Sequence, residues 1–294
     1  MIGIKKVNEE ELIKLIAKCI DDFYNSITTS LDKLKLNNVL LRKNPYLFRM
    51  KAIKDASEIV NSLLAAHVSS SEETIFGNVF FEPIATFACG GNKALAEGID
   101  IMIETEDTIY AIAVKSGTNV FNAASRKKQE QNFNAAKKLA DQVKKRYVPI
   151  IGYGYGKKQQ STKGIPKIYM EVAGQDFWSE LTGDDNFYIK LISYMDSIPE
   201  KYIQNFKDAY TRALNRFVMK FTIDFCEEDG SINWGKLVEY NSGKKKIREE
   251  INKVTECKPL KKKAGVDGLI DFHKTTYKNF RECLQFCVFR FIWG

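Results

Sequence analysis

The chain has 294 residues, of which 44% are hydrophobic and 28% are charged, proportions that are normal for a soluble globular protein. This length can bury a full core, either as one large domain or as a catalytic domain with helical additions. The formal net charge of +8 favours a polyanionic partner, although charge bears on association rather than on fold. No apolar run reaches membrane-spanning length and no signal peptide precedes the polar start, so we expect a cytoplasmic protein without a membrane partner.

Cysteine and histidine usage argues against a structural zinc site. The six cysteines show no Cys-x-x-Cys spacing, and the chain has only two histidines. We therefore expect reduced thiols, as in cytoplasmic proteins. The residues concerned are Cys19, Cys89, Cys226, Cys257, Cys283, Cys287, His67 and His273.

The N-terminal region is predicted to be helical with one break. Residues 9–36 carry apolar side chains at helical spacing, which indicates one long or two consecutive amphipathic helices. Pro45 disfavours helix at Asn44, so the pattern is interrupted there before it resumes over residues 52–64. Basic and aromatic side chains at the break could contact a DNA backbone, although a solvated loop has the same composition. These candidates are Lys43, Asn44, Tyr46 and Arg49.

A further helix is predicted from about Ser71, because Ser70 followed by Glu73 is a capping-box signature. Glu82 shares the apolar stripe of this helix, so its carboxylate is expected to point toward the core. An unpaired buried carboxylate is costly, and Glu82 therefore needs a cation, a metal ion or a proton. An arginine or other basic partner would satisfy it as well as a metal ion.

Residues 97–117 have the pattern of a β-hairpin. Isoleucines at 99, 101 and 103 alternate with polar residues, and a second apolar run extends from Thr108 to Lys115. If Thr105 and Thr108 close the turn, Asp100 falls opposite Ala113, and Lys115 lies two residues along on the same face. This pairing is either an ordinary hairpin salt bridge or part of a chemical site.

The segment after the hairpin predicts a strand–helix–strand unit. Residues 116–119 are small and polar, which allows close approach of a phosphate. A basic helix is expected over residues 125–146, followed by an apolar strand over 147–152 that runs parallel to the strand ending at Lys115, with a right-handed crossover. Residues 175–224 are helical and aromatic, residues 229–234 form a turn into another helix, and the apolar end at 283–293 is expected to dock on the core or on a second subunit.

Asp100, a hairpin and the tripeptide Ala113-Val114-Lys115 resemble the PD-(D/E)xK nuclease motif. The surrounding sequence resembles the PmeII-type restriction endonucleases in four blocks, at 41–49, 69–78, 96–100 and 114–117. This resemblance covers roughly residues 40–240. The resemblance implies an α/β fold with a restriction-endonuclease-like core, in which a mixed central sheet is flanked by helices. It further implies an N-terminal helical region at 1–68, a nuclease core at 69–175 and a C-terminal helical region at 176–294 that packs on the core.

The resemblance also implies a site for Mg²⁺, or Mn²⁺ in its place. Ala113 stands where the motif has an acidic residue, so a second carboxylate must come from Glu82 or Glu97, or the protein does not cut. Lys115 would orient the attacking water and neutralise charge that develops on the phosphate. The expected metal ligands are Asp100, the main-chain oxygen of Val114, and Glu82 or Glu97; the catalytic residues are Asp100, Lys115 and Glu82.

The function implied is that of a type II site-specific deoxyribonuclease, which cleaves double-stranded DNA in a restriction–modification system with a cognate DNA methyltransferase. A homodimer would match a palindromic target. The alternatives are a DNA-binding protein on the same fold that has lost cleavage, and a structure-selective repair or resolvase nuclease. Further DNA-binding candidates beside the site are Ser116, Asn119, Arg126, Lys127 and Lys128.

Overall fold

The computed structural model describes residue 2 and residues 7–94, 96–158, 167–195 and 198–244. The apolar end at 283–293, for which docking was expected, lies outside the described residues. In the described part of the chain, no helix combines the length and apolar composition that a membrane span needs.

The described chain is mostly helical, and its strands lie in the middle of the sequence. The helices are α1 (Glu9–Lys33), α2 (Leu36–Leu40), α3 (Pro45–Met50), α4 (Ala56–Phe76), α5 (Glu82–Cys89), α6 (Ala123–Gln142), α7 (Gln175–Thr182), α8 (Phe187–Ser193), α9 (Glu200–Phe225) and α10 (Trp234–Ser242), with a π-helical turn at Gly77–Phe81 between α4 and α5. The strands are β1 (Asn92–Lys93), β2 (Ile101–Glu104), β3 (Thr108–Lys115), β4 (Arg146–Tyr153) and β5 (Met170–Ala173).

The strands form one mixed sheet in the order β1-β2-β3-β4-β5. β2 is antiparallel to its neighbours β1 and β3, whereas β3, β4 and β5 are parallel. The predicted hairpin is confirmed, because Ile101 pairs with Ile112 and the Thr105 amide donates to the Thr108 carbonyl at 2.8 Å. The predicted strand–helix–strand unit is confirmed as β3, α6 and a parallel β4.

Helices cover both faces of this sheet, which explains why β3 is apolar on both sides. On one face, Ile112 and Val114 pack in a core with residues of α1, α5 and α7. On the other face, Ala111 and Ala113 pack against Phe133 of α6. A central sheet between two helical layers is the arrangement that the nuclease resemblance implies.

Three predicted helix boundaries are wrong for local reasons. The helix expected over residues 52–64 begins at Ala56 as α4, because Ala52 adopts a positive φ of 57° that does not continue a helix. The helix expected to begin near Ser71 is the C-terminal end of α4, because that helix is capped at Asp55, whose Oδ1 accepts from the Ser57 amide at 2.8 Å. The hydrogen bonds from Ser57 lower the pKa of Asp55. The helix expected to reach Arg146 ends at Gln142, because Lys144 adopts a positive φ of 57° that ends helices.

Contacts divide the chain into two compact units. The first comprises the described residues of Met1–Leu34 and Ala65–Ala213, and it contains the whole sheet. The second comprises the described residues of Lys35–Leu64 and of the stretch from Leu214 onward. Each unit is assembled from two separate stretches of chain, and the three-segment organisation expected from the sequence stays a prediction.

Candidate active site

The register of β2 and β3 brings Asp100 and Lys115 together. The Asp100 amide donates to the Ile112 carbonyl at 2.9 Å, and the Val114 amide donates to Asp100 Oδ2 at 2.7 Å, so Asp100 is held opposite Ala113. Lys115 Nζ donates to Asp100 Oδ2 at 3.3 Å and to the Val114 carbonyl at 2.8 Å. Both side chains are roughly a quarter exposed. A carboxylate, a main-chain oxygen and an ammonium group thus share one partly open point at the end of β3.

The segment leading to Asp100 is fixed by α6. Gly98 has a φ of +71°, and a Cβ there would overlap the Asn132 side chain. Gln129, almost fully buried, donates from Nε2 to the Gly98 carbonyl at 2.7 Å. Sequence reasoning missed Gln129 as a residue that positions Asp100. The available signal was a polar side chain in helical register with the buried Phe133.

Asp100 retains one carboxylate oxygen for a ligand. Among the described residues, Oδ2 accepts the two hydrogen bonds above, while Oδ1 has no hydrogen-bond partner. The Val114 carbonyl accepts from Lys115 and has a second lone pair. No group of three or more His, Cys, Asp or Glu side chains in the described part of the chain could hold a metal ion. A metal ion here would therefore have few protein ligands and keep several waters, which is the coordination that Mg²⁺ usually adopts in proteins.

Neither carboxylate expected to replace the acid at position 113 pairs with Lys115. Glu82, the first residue of α5, is partly exposed and lies 3.2 Å from Lys93 Nζ, so the cation that it needs is a lysine. Glu97 is 78% exposed and lies 3.2 Å from Lys128 Nζ. The identity of the second metal-binding carboxylate stays a prediction.

Glu73 of α4 is a third carboxylate near the end of β3. Its carbonyl accepts from Ser116 Oγ at 3.2 Å, and its Oε2 accepts from Tyr155 Oη at 3.3 Å. Gly77, one turn later, permits this approach, because a Cβ there would overlap Ser116 Oγ. The pKa of Tyr155 is raised, mainly by burial of its hydroxyl and further by the negative charge of Glu73. The sequence predicts only a capping role for Glu73, because its contact with Ser116 joins residues 43 positions apart.

The DNA-binding candidates around Pro45 lie in the second unit. Asn44 is the N-cap of α3, with Oδ1 accepting from the Tyr46 amide at 3.0 Å, and Pro45 begins that helix rather than a loop. Arg49 stacks on the Trp234 ring at 5.4 Å, and the Lys43 carbonyl accepts from an asparagine amide of α10 at 3.0 Å. Tyr46 is largely exposed.

Of the DNA-binding candidates beside the sheet, some are exposed to solvent and the others bond to neighbouring residues. Asn119 and Lys127 are exposed. Ser116 donates to Glu73, and Lys128 pairs with Glu97. Arg126 pairs with Glu171 of β5 at 3.0 Å.

A five-stranded mixed sheet flanked by helices, with an aspartate and a lysine meeting across neighbouring strands, is consistent with a restriction-endonuclease-like fold. The family model of the type II restriction endonuclease EcoO109I matches residues 10–202, more than half of the chain. The chain therefore belongs to the type II restriction endonuclease EcoO109I family, a family of DNA-cleaving hydrolases. The match supports a restriction endonuclease family without supporting the PmeII type in particular. A search of curated proteins gave no match.

Proposed function

We propose that this chain is a Mg²⁺-dependent, sequence-specific endonuclease that hydrolyses phosphodiester bonds of double-stranded DNA in a restriction–modification system. The observation that carries the proposal is the hydrogen-bonded group of Asp100, Val114 and Lys115, in which one oxygen of Asp100 stays open. The four blocks similar to PmeII-type enzymes support a relationship to that type as part of the same proposal.

The residues present fit a magnesium ion with a small protein ligand set. Asp100 Oδ1 and the Val114 carbonyl would hold it, with a second carboxylate from Glu82, Glu97 or Glu73. When bound, the ion polarises the phosphate, lowers the pKa of water and stabilises the leaving oxygen. Mn²⁺ would satisfy the same oxygen ligands.

Lys115 supplies the positive charge that the reaction needs. Its ammonium group is held by Asp100 and by the Val114 carbonyl, so it occupies a fixed position beside the open oxygen of Asp100. From there it orients the attacking water and neutralises charge that develops on the phosphate in the transition state.

The assembly and setting proposed are those of a restriction enzyme. A homodimer would place two such sites on a palindromic duplex. A cognate DNA methyltransferase would protect the host sites, and both proteins would work in the cytoplasm.

One observation favours a second function, that of a DNA-binding protein on the same fold that has lost cleavage. Ala113, at the acidic position of the motif, is fully buried beside Ile151 and Phe133. If no other carboxylate replaces the missing acid, binding would persist without hydrolysis.

Incubation of supercoiled plasmid with the purified protein, with Mg²⁺ and with a chelator, tests the proposal. Discrete fragments that require Mg²⁺ are expected. A bound but uncut plasmid would favour the binding protein, and cutting confined to branched or damaged substrates would favour a repair or resolvase nuclease. The same assay on Lys115→Ala tests the role of that lysine, and its matched control is Lys190→Ala, which removes a lysine of α8 that pairs with Asp184.

A further inference from the structure

Glu171 of β5 gathers three cationic side chains around one nearly buried carboxylate. Its side chain is 5% exposed, Arg126 Nη1 donates to Oε1 at 3.0 Å, and Lys158 Nζ lies 3.5 Å from the same oxygen. Lys167 Nζ donates to Oε2, and Tyr153 Oη donates to Oε1 at 2.6 Å. One cation would neutralise the carboxylate, so the cluster carries a surplus of two positive charges.

Among the residues that the structure describes, nearby acidic groups do not remove this surplus. Glu130 of α6 accepts a long 3.5 Å hydrogen bond from Tyr169 Oη, which also accepts from Arg126 Nη1 at 3.0 Å. Counting Glu130 still leaves one positive charge unmatched. In sequence, residues 157–167 contain four lysines and no aspartate or glutamate, so this stretch adds positive charge rather than a counter-ion.

The cluster has hydrogen-bond donors to spare. A lysine ammonium has three donors and a guanidinium has five, and within the described residues the bonds to Glu171 and Tyr169 use only part of them. The Lys167 side chain is 46% exposed, whereas Glu171 beneath it is nearly closed to solvent. A rigid carboxylate therefore holds partly open cations in a fixed group, which suits an anion with several oxygens.

The sheet register places this cluster beside the candidate active site. Ala113 pairs with Ile151 and Ile151 pairs with Glu171, so these residues lie on one line across the sheet. Neighbouring strands are about 4.8 Å apart, which puts the Glu171 backbone roughly 10 Å from that of Ala113, on the face that also carries Lys115. Phosphates of one DNA strand advance about 3.4 Å along the axis per nucleotide, so 10 Å corresponds to about three nucleotides.

We propose that Arg126, Lys158 and Lys167 bind a DNA backbone phosphate within a few nucleotides of the cleaved one, with Glu171 holding the three cations in position. This inference rests on the proposed nuclease function. A phosphate contact fixes the register of the duplex on the protein without reading its sequence. The cluster would therefore set which phosphate reaches Asp100 and Lys115, and it would act equally on specific and non-specific DNA.

The test is the salt dependence of DNA binding by the double variant Lys158→Ala/Lys167→Ala. The probe is a fluorescent duplex oligonucleotide in chelator, so that no cleavage occurs. Each phosphate contact contributes about 0.9 to the slope of log affinity against log salt, so loss of this one contact should reduce the slope by about 0.9. The control, Lys145→Ala/Lys190→Ala, removes the same charge from lysines paired with Glu104 and Asp184 and should change the slope far less.

Thermal unfolding of the same variants separates a phosphate site from a structural ion-pair cluster. A slope equal to that of the control, with or without a lower melting temperature, would overturn the inference. If the wild-type protein cuts plasmid while the double variant keeps the wild-type slope, only this site fails. If the wild-type protein shows no salt-dependent DNA binding at all, the proposed function fails and this inference fails with it.

Discussion

Replacing Glu171 by glutamine removes a charge from the sheet while keeping the shape of the side chain. Burial by itself raises the pKa of this carboxyl, but hydrogen bonds from Lys167, Tyr153 and Arg126 outweigh it and lower the pKa from 4.5 to about 2. The same network raises the pKa of Arg126, although burial alone lowers it. The ionised form of Glu171 is therefore strongly favoured in the folded protein, and glutamine cannot reproduce it.

The magnitude follows from the pKa shift. A change from 4.5 to about 2 is about 2.5 pH units, and each unit corresponds to roughly 1.4 kcal/mol. Because the folded-state pKa is depressed, this contribution is fully present above about 4.5 and disappears as the pH falls toward about 2. At neutral pH, Glu171→Gln should lower the free energy of unfolding by on the order of 3 kcal/mol, which also matches the usual cost of removing one partner of a buried ion pair.

Urea unfolding of wild type and variant at a series of pH values from neutral to acidic measures this difference. The control is Glu97→Gln, whose carboxylate is 78% exposed beside Lys128, so its effect should stay within about 1 kcal/mol at every pH. The gap between wild type and Glu171→Gln should narrow below about 4.5. Equal losses for the two variants at neutral pH, or a gap that stays constant on acidification, would refute the reasoning.

The other predictions concern cleavage. Lys115→Ala should reduce plasmid cleavage by a factor of at least about 100, since it removes charge stabilisation in the transition state, and should leave DNA binding in chelator nearly unchanged; cutting at the wild-type rate would exclude the assigned role. Glu82→Gln should weaken Mg²⁺-dependent cleavage more than Glu97→Gln does, and Glu73→Gln belongs in the same assay, because the variant with the largest loss identifies the second carboxylate. Ala113→Glu should destabilise the protein by about 1–3 kcal/mol through overpacking and a buried charge; if wild type does not cut, a gain of cleavage in this variant would establish that the missing acid is the cause.

The central hairpin could be predicted because its pattern and its turn agree. Alternating isoleucines set the faces of β2, and the polar residues between Thr105 and Thr108 set the turn, so the register that brings Asp100 opposite Ala113 follows without further information. The parallel β4 was predictable for a similar reason, as an apolar run follows a long polar helix. These features depend on residues close together in the sequence.

The partners of the charged side chains could not be predicted in the same way. Glu171 and Arg126 are separated by 45 positions, and their pairing depends on which strand follows β4 in the sheet. The lysine that pairs with Glu82 lies on the two-residue strand β1, which has no pattern of its own. Even the start of α4 depended on Asp55, since a capping signature at Ser70 is equally compatible with the interior of a longer helix.

The same reasoning explains why the strand motif does not reveal the second carboxylate. Ala113 is packed against Ile151 and Phe133, so an acid at this position would have to displace core contacts as well as bind a metal ion. Because α5 packs on the face of the sheet opposite to Ala113, a carboxylate carried by α4 or α5 would have to reach the metal ion around the end of β3, where Glu73 contacts Ser116. Different positions on these helices could carry such a carboxylate without any change in β3. The constraint on the motif therefore falls on Asp100 and Lys115, whose geometry the strands fix, and only loosely on the third group.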